Sequence, residues 1–286
     1  MTYATIPDFA QRKIREAAAL VEQVVERRSQ FTVKHLLVPL LTQVLYSRCL
    51  VADALGSFEV EGQRHWIPRF SFQRTQVRKE RFKIGIFAGI HGDEPAGILG
   101  LMDFVRELEE DPELGRHYEL WIYPLCNPTG YLAGTRTSAS GQDLNREFWQ
   151  GSLEPEVVLL EKEIAAKKFD GIISLHSDDT SPGFYGYARG SVFARQLLSP
   201  ALAAAERAQP RDSRPFIDGF QAVNGIIHDC FDGILSAPPN TRSKPFEVIL
   251  ESPARSALKD QRTAFTLALR SILQEYRNFI TFGGDL

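Results

Sequence analysis

The sequence predicts an α/β fold, in which a central mixed, largely parallel sheet is flanked by helices. The main observation is that short apolar runs, which suit buried strands, alternate with longer segments of helical spacing. Helices that cover a largely parallel sheet produce this alternation. The composition agrees, since 286 residues with 43% hydrophobic and 24% charged side chains suffice to bury a sizeable core. We therefore expect one domain over residues 1–286.

In the part of the chain before residue 84, the first expected element is a helix. Residues 8–28 have helical spacing with mixed charge, and residues 32–55 are strongly apolar but interrupted by Pro39. We expect the apolar stretch to pack against the core or a substrate rim rather than to form a partner surface. A hairpin is predicted after Gly56, leading into a strand at residues 70–72. Four further helices are predicted, at residues 96–109, 154–168, 192–207 and 256–279.

The first predicted strand that is followed by potentially functional polar residues begins at Ile84, and the chain then leads directly into His91 and Glu94. Pro95 follows, and proline suits the first position of a helix. An imidazole and a carboxylate three residues apart can both reach a single Zn²⁺, and a catalytic zinc site commonly has three protein ligands and a water. Alone, the pair has another interpretation, because His91 could cap the helix and Glu94 could favour its positive N-terminus. The zinc interpretation therefore requires a third ligand.

The second cluster of polar residues follows an apolar run at residues 120–125. Turn-forming dipeptides after this run predict a long loop, and the loop contains Arg136, Asn145 and Arg146. Guanidinium groups and an amide can grip a carboxylate through paired hydrogen bonds. The loop is therefore a candidate anion-binding site, although arginines are most often surface ion-pair partners.

Two later strands also end in residues that could bind a metal or transfer a proton. Residues 169–175 form an apolar run that ends at His176, and residues 246–250 form one that ends at Glu251. His176 supplies the missing imidazole, although a lone histidine in this setting is often a buried residue bonded to backbone. Strand alternation places Glu247 on the same face as Glu251, and we favour Glu251 because it lies at the strand terminus.

These residues follow one another in the order of a known family pattern, which is His-x-x-Glu, Asn-Pro-x-Gly, an arginine, an Asn-Arg pair, a strand ending in histidine and a strand ending in glutamate. The chain thereby resembles the M14 zinc carboxypeptidase family, which also includes the aspartoacylase and succinylglutamate desuccinylase branch. The resemblance covers approximately residues 84–253. It implies a zinc carboxypeptidase-like fold with one Zn²⁺, bound by His91, Glu94 and His176.

The resemblance also implies a role for each remaining residue of the pattern. Glu251 would polarise the metal-bound water and carry its proton to the leaving amine, while zinc acts as a Lewis acid. Arg136 would stabilise the oxyanion. Asn145 and Arg146 would hold a substrate carboxylate next to the scissile amide.

The remaining organisation of the chain is simple. Residues 209–245 contain five prolines and few regular patterns, so we expect a long irregular excursion over the site, in which substrate specificity could lie. No internal repeat or low-complexity tract divides the chain. In this interpretation residues 1–55 are an N-terminal helical lead-in and residues 56–286 are the catalytic core.

Two features of the sequence bear on which branch of the family the chain resembles. Arg136 precedes Asn145 by nine residues, a spacing close to the shorter loop of the acylase branch. The stretch after His176 resembles the aromatic loop of small bacterial M14 members. We therefore predict a zinc metallocarboxypeptidase acting on short peptides, with cell-wall peptides among the candidates. An aspartoacylase-like or desuccinylase-like hydrolase of N-acyl amino acids is the alternative. A non-catalytic peptide-binding protein is a second alternative, against which the retained Glu251 argues.

The composition argues against several other classes of protein. A net charge of −3 argues against a surface that binds nucleic acid or membrane. Cys49, Cys126 and Cys230 are widely spaced, so neither a disulfide framework nor a thiolate metal site is indicated. The N-terminus lacks the apolar core of a signal peptide, and no run reaches transmembrane length. We therefore expect a cytoplasmic protein whose partner is a small peptide or N-acyl amino acid substrate, and the sequence leaves its number of subunits open.

Overall fold

The structure, a computed structural model, describes residues 33–73, 81–189, 192–242 and 244–283. The predicted helix at residues 8–28 lies outside them. The described strands are β1 (Leu50–Val60), β2 (Gln63–Phe72), β3 (Phe82–Ala88), β4 (Tyr118–Tyr123), β5 (Gly171–Asp178), β6 (Tyr185–Arg189), β7 (Phe216–Ile217), β8 (Phe220–Val223), β9 (Ile226–Ile227) and β10 (Phe246–Pro253). The described α-helices are α1 (Val33–Tyr46), α2 (Pro95–Glu110), α3 (Pro128–Ala133), α4 (Pro155–Lys167), α5 (Val192–Ala205) and α6 (Leu258–Gly283). None of these helices combines the length and apolar character needed to cross a membrane.

The ten described strands form one sheet with a parallel centre. Their order is β1-β2-β4-β3-β5-β10-β6-β9-β8-β7. Strands β4, β3, β5 and β10 run parallel to one another, while β2 and β6 flank them as antiparallel neighbours. The carboxyl ends of the four central strands therefore lie at one edge, which is where open α/β sheets bind ligands. The predicted mixed α/β sheet flanked by helices is confirmed.

Helices cover both faces of the sheet. Successive side chains of a strand point to opposite faces, so each face needs a layer of helices to bury its apolar residues. Ile84 and Ile86 of β3 lie in a large apolar cluster with α1, α2, α5 and α6, whereas Phe87 lies in a second cluster with α4. Both faces of the central strands are thus buried, which explains why these strands are almost continuously apolar in sequence. The four helices predicted after residue 95 are present, with ends shifted by a few residues.

Pro39 interrupts the apolar stretch in the sequence but does not end its helix, since it lies inside α1. A proline in a helix interior costs about 3 kcal/mol. The same helix buries Leu37, Leu40 and Leu41, and each buried leucine contributes about 1.5–3 kcal/mol. Burial therefore outweighs the proline penalty. The remainder of the apolar stretch belongs to β1.

The predicted hairpin is formed by β1 and β2, which pair in antiparallel orientation. Its turn lies at Glu61 and Gly62, whose φ angles are 50° and 74°. Two successive residues with positive φ angles give a two-residue turn that matches the right-handed twist of the flanking strands.

The excursion at residues 209–245 is more regular than the sequence predicts. It contains β7, β8 and β9, and the pairing of β9 with β6 adds all three to the edge of the sheet. Strands of two to four residues are too short to produce a periodic sequence pattern. The expectation of a wholly irregular loop was therefore wrong for this part of the segment.

Candidate metal centre

The candidate site lies at the carboxyl edge of the four parallel strands. His91 and Glu94 lie between β3 and α2, His176 lies in β5 and Glu251 lies in β10. His176 and Glu251 are direct neighbours in the parallel register of β5 and β10. These residues meet although they are far apart in the sequence, because the parallel strands that carry them end at one edge.

The loop that carries His91 packs closely against the loop that follows β4. A Cβ atom at Gly92 would lie 2.0 Å from the backbone carbonyl carbon of Gly130, so only glycine permits this approach. The Oδ1 atom of Asn127 accepts a hydrogen bond from the backbone N–H of Gly130 at 2.8 Å, and its Nδ2 atom donates to the carbonyl of Ile90 at 3.2 Å. The Asn-Pro-x-Gly motif therefore joins the two loops.

His91, Glu94 and His176 form one buried cluster. The Nδ1 atom of His91 lies 2.7 Å from Oε1 of Glu94, and the Nδ1 atom of His176 lies 3.1 Å from Oε2 of the same carboxylate. The two Nδ1 atoms are 3.2 Å apart. One candidate ligand atom from each residue lies within 4.8 Å of the others. Two imidazole nitrogens and one carboxylate oxygen are a donor set that fits a metal ion such as Zn²⁺.

Asp143 contacts the outer nitrogen of His91. The Nε2 atom of His91 lies 3.0 Å from Oδ1 of Asp143, and the same oxygen accepts the backbone N–H of Asn145 at 3.0 Å. A carboxylate at this nitrogen fixes the orientation and tautomer of a metal-binding imidazole, which leaves Nδ1 free for the metal. This contact of Asp143 is not predicted from the sequence, because the local pattern does not distinguish it from the capping of a turn. Its position beside the Asn-Arg pair was the nearest signal.

The surroundings of Glu94 and His176 favour the protonation states that metal binding needs. Burial would raise the pKa of Glu94, but His91 and His176 outweigh burial and lower this pKa to about 2. The backbone N–H of Ser177 also donates to Oε2 of Glu94 at 3.0 Å. Burial lowers the pKa of His176, which favours the neutral imidazole. An ionised carboxylate and a neutral imidazole can each offer a lone pair to a metal.

Arg136 lies at the rim of the cluster. Its Nη1 atom donates to Oε1 of Glu94 at 3.2 Å, and its Nε atom donates to Oδ2 of Asp143 at 3.1 Å. Its side chain is 45% exposed, so the guanidinium lies between the cluster and solvent. The structure thus brings Arg136 to the site, and its role at an oxyanion stays a prediction.

Glu251 lies between His176 of β5 and Tyr185 of β6 in the register of the sheet. Burial raises the pKa of Glu251 well above its usual range, and the nearby carboxylates of Glu94 and Asp178 raise it further. A carboxyl group whose pKa is shifted toward neutrality is suited to general acid–base catalysis. The structure brings Glu251 beside the cluster, and its function in proton transfer stays a prediction.

Asn145 and Arg146 lie in a short 3-10 turn, Leu144–Arg146, that contacts the segment after β9. The Oδ1 atom of Asn145 accepts the backbone N–H of Leu235 at 2.9 Å. The guanidinium carbon of Arg146 lies 4.1 Å from the ring centre of Phe231, which is a cation–π contact. Asn145 therefore anchors this segment, a role that the sequence analysis did not foresee. The binding of a substrate carboxylate by the pair stays a prediction.

We predict that Gly233→Ala lowers the free energy of unfolding more than Gly62→Ala does. Gly233 has a φ angle of 71°, and a Cβ atom there would lie 2.1 Å from the carbonyl oxygen of Arg146. Gly62 has a φ angle of 74°, but its Cβ atom would meet nothing within 4 Å. The control therefore shares the backbone strain without the clash. We expect an additional loss of about 1–3 kcal/mol for Gly233→Ala in chemical denaturation. Equal losses in both variants would contradict the close packing.

Comparison with protein families and curated proteins identifies relatives of the chain. A model of the succinylglutamate desuccinylase/aspartoacylase catalytic domain matches residues 82–212, a range that contains the cluster of His91, Glu94 and His176 but not Glu251. Murein peptide amidase A of Escherichia coli K12 is 44% identical over 64 residues, which are 22% of this chain and 24% of the relative. The match thus spans about a quarter of this curated relative.

Solved structures share the fold over most of the chain. A proposed metallopeptidase from Shewanella denitrificans OS217 is 26% identical, with a TM-score of 0.62, and the match covers 78% of this chain and 82% of that one. A metallo-carboxypeptidase from Burkholderia cenocepacia has a TM-score of 0.67 at 22% identity, over 87% of this chain and 70% of that one. The second likeness shows the fold alone. The chain thus resembles the succinylglutamate desuccinylase/aspartoacylase catalytic domain over residues 82–212 and shares its fold with solved metallopeptidases, which confirms the resemblance that the sequence motifs indicated.

Proposed function

We propose that the protein is a zinc-dependent hydrolase that cleaves an amide bond next to a free carboxylate. The observation that carries the proposal is the convergence of His91, Glu94 and His176, with one ligand atom of each within 4.8 Å of the others. Glu251 on the adjacent strand supports a catalytic rather than a purely structural metal, because a binding protein has no need of a proton carrier.

His91, Glu94 and His176 would hold one Zn²⁺, which when bound supplies a Lewis acid and lowers the pKa of a water ligand. Glu251 would accept a proton from water at its carboxylate and deliver the proton to the leaving amine. Its raised pKa, caused first by burial, supports this use. Arg136 would turn its half-exposed guanidinium toward the negative charge that develops on the scissile carbonyl oxygen.

We propose short peptides with a free terminal carboxylate as the substrate class. Arg146 would bind this carboxylate, and its stacking on Phe231 would limit the freedom of its side chain and so orient the guanidinium. The partial match to murein peptide amidase A supports a peptide substrate and keeps cell-wall peptides among the candidates. N-acyl amino acids are the second candidate class, because the domain model that matches residues 82–212 is that of desuccinylases and aspartoacylases.

Parallel assays of the zinc-loaded protein would separate the two substrate classes. Short peptides and their C-terminally amidated forms would be compared with N-acetylaspartate and N-succinylglutamate. We expect hydrolysis of the free-acid peptides and little hydrolysis of the amidated ones, since amidation removes the charge that Arg146 would bind. Turnover of acyl amino acids alone would instead assign the protein to the alternative class. The absence of turnover on all of these substrates would favour a non-catalytic binding protein.

A further inference from the structure

The residues that follow His176 and Glu251 form a second contact between β5 and β10. Ser177 and Ser252 are register neighbours, and their Oγ atoms lie 3.0 Å apart. Because successive side chains of a strand point to opposite faces, these serines lie on the face opposite to His176 and Glu251. Leu250, on the same face as Ser252, belongs to the apolar cluster that includes α6. The two serines therefore join the strands on the α6 side of the sheet.

Gln261 of α6 binds Ser252 from the helix side. The Nε2 atom of Gln261 donates to the carbonyl oxygens of Ala254 and Ser256 at 3.2 and 2.8 Å, which leaves its Oε1 atom as the acceptor. The Oγ atom of Ser252 donates to this Oε1 atom at 2.9 Å. Both side chains are buried. One side chain thus connects the helix, the end of β10 and the turn between them.

The direction of the hydrogen bonds follows from this arrangement. A hydroxyl group has one proton to donate, and Ser252 donates its proton to Gln261. Ser252 must therefore accept the proton of Ser177 across their 3.0 Å contact. The backbone N–H of Ser177 donates to Oε2 of Glu94 at 3.0 Å. A chain of hydrogen bonds and one short stretch of backbone thereby leads from α6 through both strands to the candidate metal ligand Glu94.

The end of β10 has few other supports. The pairing of β10 with β6 stops at Glu251, and Pro253 has no N–H with which to extend a ladder. After Glu251, β10 pairs only with β5 among the described strands. Loss of the bond from Ser252 to Gln261 would therefore allow the strand end that carries Glu251 to shift relative to β5.

The helix that carries Gln261 is fixed to the helix that follows Glu94. Arg262 of α6 donates two hydrogen bonds of 2.8 Å to the carboxylate of Asp103 in α2. A Cβ atom at Gly100 of α2 would lie 2.9 Å from Cβ of Phe265, so the two helices are in close contact. Helix α6 is therefore a fixed support for the hydrogen-bond chain.

We propose that Gln261 is a positioning residue for the candidate site. It acts through Ser252 and Ser177, and it holds Glu251 in place beside the His91–Glu94–His176 cluster and orients Glu94 toward the metal. A misplacement of about 1 Å can cost about 100-fold in rate. This assignment rests on the proposed hydrolase function, in which Glu94 binds zinc and Glu251 carries the proton.

The test replaces Gln261 by methionine, which has a similar size but lacks the amide. Gln209→Met is the matched control, because Gln209 is also buried and neither polar atom of its amide has a hydrogen-bond partner among the described residues. We expect Gln261→Met to lower kcat by about 10–100-fold at saturating zinc. KM should change little, because Asn145 and Arg146 lie in a different segment. Gln209→Met should have the kcat and KM of the wild-type protein.

The Ser252→Ala variant interrupts the same chain in its middle, while Gln261 keeps its two bonds to the turn. It should lower kcat to a similar extent, and the double variant should lose little more than either single variant, because both changes break one chain. All assays would be run well below the melting temperature of each variant. A purely structural role of Gln261 would lower the melting temperature but leave kcat unchanged, and additive losses would also contradict the proposal.

Zinc affinity, measured by competition with a chelator, separates failure of this assignment from failure of the proposed function. Outer partners of metal ligands affect metal affinity by about 10–100-fold, so we expect about 10-fold weaker Zn²⁺ binding in Gln261→Met and Ser252→Ala. Gln209→Met should bind Zn²⁺ like the wild-type protein. This pattern supports the positioning role even if the wild-type protein hydrolyses no peptide, in which case only the hydrolase proposal fails.

The opposite results are equally decisive. An unchanged zinc affinity in Gln261→Met would overturn the role of Gln261, as would an unchanged kcat of this variant when the wild-type protein is active. Losses of the same size in Gln209→Met would show that any change of a buried glutamine has this effect, and would also overturn the assignment. A wild-type protein that binds no zinc would reject the metal centre and the positioning role together.

Discussion

Replacement of Glu251 by glutamine is expected to lower kcat by about 10²–10⁴-fold while leaving the metal content unchanged. Proton transfer by a positioned side chain typically contributes a factor of this size. Glutamine is nearly isosteric but cannot accept and release a proton. Because Glu251 is a register neighbour of His176 and is not part of the His91–Glu94–His176 cluster, the three candidate ligands remain in the variant. The measurement combines steady-state kinetics with metal analysis of the same preparation.

The Glu59→Gln variant is a suitable control for this experiment, because its side chain is 64% exposed and lies on the β1–β2 hairpin. It changes the net charge by the same amount and should hydrolyse the substrate at the wild-type rate. If Glu251→Gln kept full activity, Glu251 would not be the proton carrier. If the variant lost both metal and activity, Glu251 would belong to the metal site instead.

Replacement of His176 by alanine is expected to weaken Zn²⁺ binding by more than about 100-fold and to remove the thermal stabilisation by zinc. Loss of an outer partner of a metal ligand already costs about 10–100-fold in affinity, so loss of a ligand should cost more. The variant would keep His91 and Glu94, which are two of the three donors in the cluster. Metal content after dialysis and melting temperatures with and without added Zn²⁺ would measure the effect.

His228→Ala provides the comparison for the histidine variant, since His228 is exposed and follows β9. This control should bind zinc like the wild-type protein. A His176→Ala protein with normal zinc content would exclude His176 as a ligand. A wild-type protein that neither carries zinc nor gains stability from it would reject the metal centre and favour the peptide-binding alternative.

The local sequence predicted the elements and the types of chemistry at their ends. The run from Ile84 into His91, Glu94 and Pro95 combines an apolar strand with a helix start, and both signals depend only on residues close in sequence. The structure contains β3 and α2 at these positions. The excursion after residue 209 was harder to predict, because β7, β8 and β9 exist through pairing with distant residues such as those of β6 rather than through their own periodicity.

The amino-acid sequence by itself determined which residue types stand at the ends of the buried strands, and their order indicated the family that the chain resembles. Only the tertiary structure decided which of these residues meet. His176 reaches Nδ1 of His91 across 85 residues of sequence because β3 and β5 pair in parallel. The contact of Asp143 with His91 and the hydrogen bond between Asn145 and Leu235 likewise depend on loop packing. Such contacts depend on how segments far apart in the sequence pack in space, and no local sequence pattern encodes this packing.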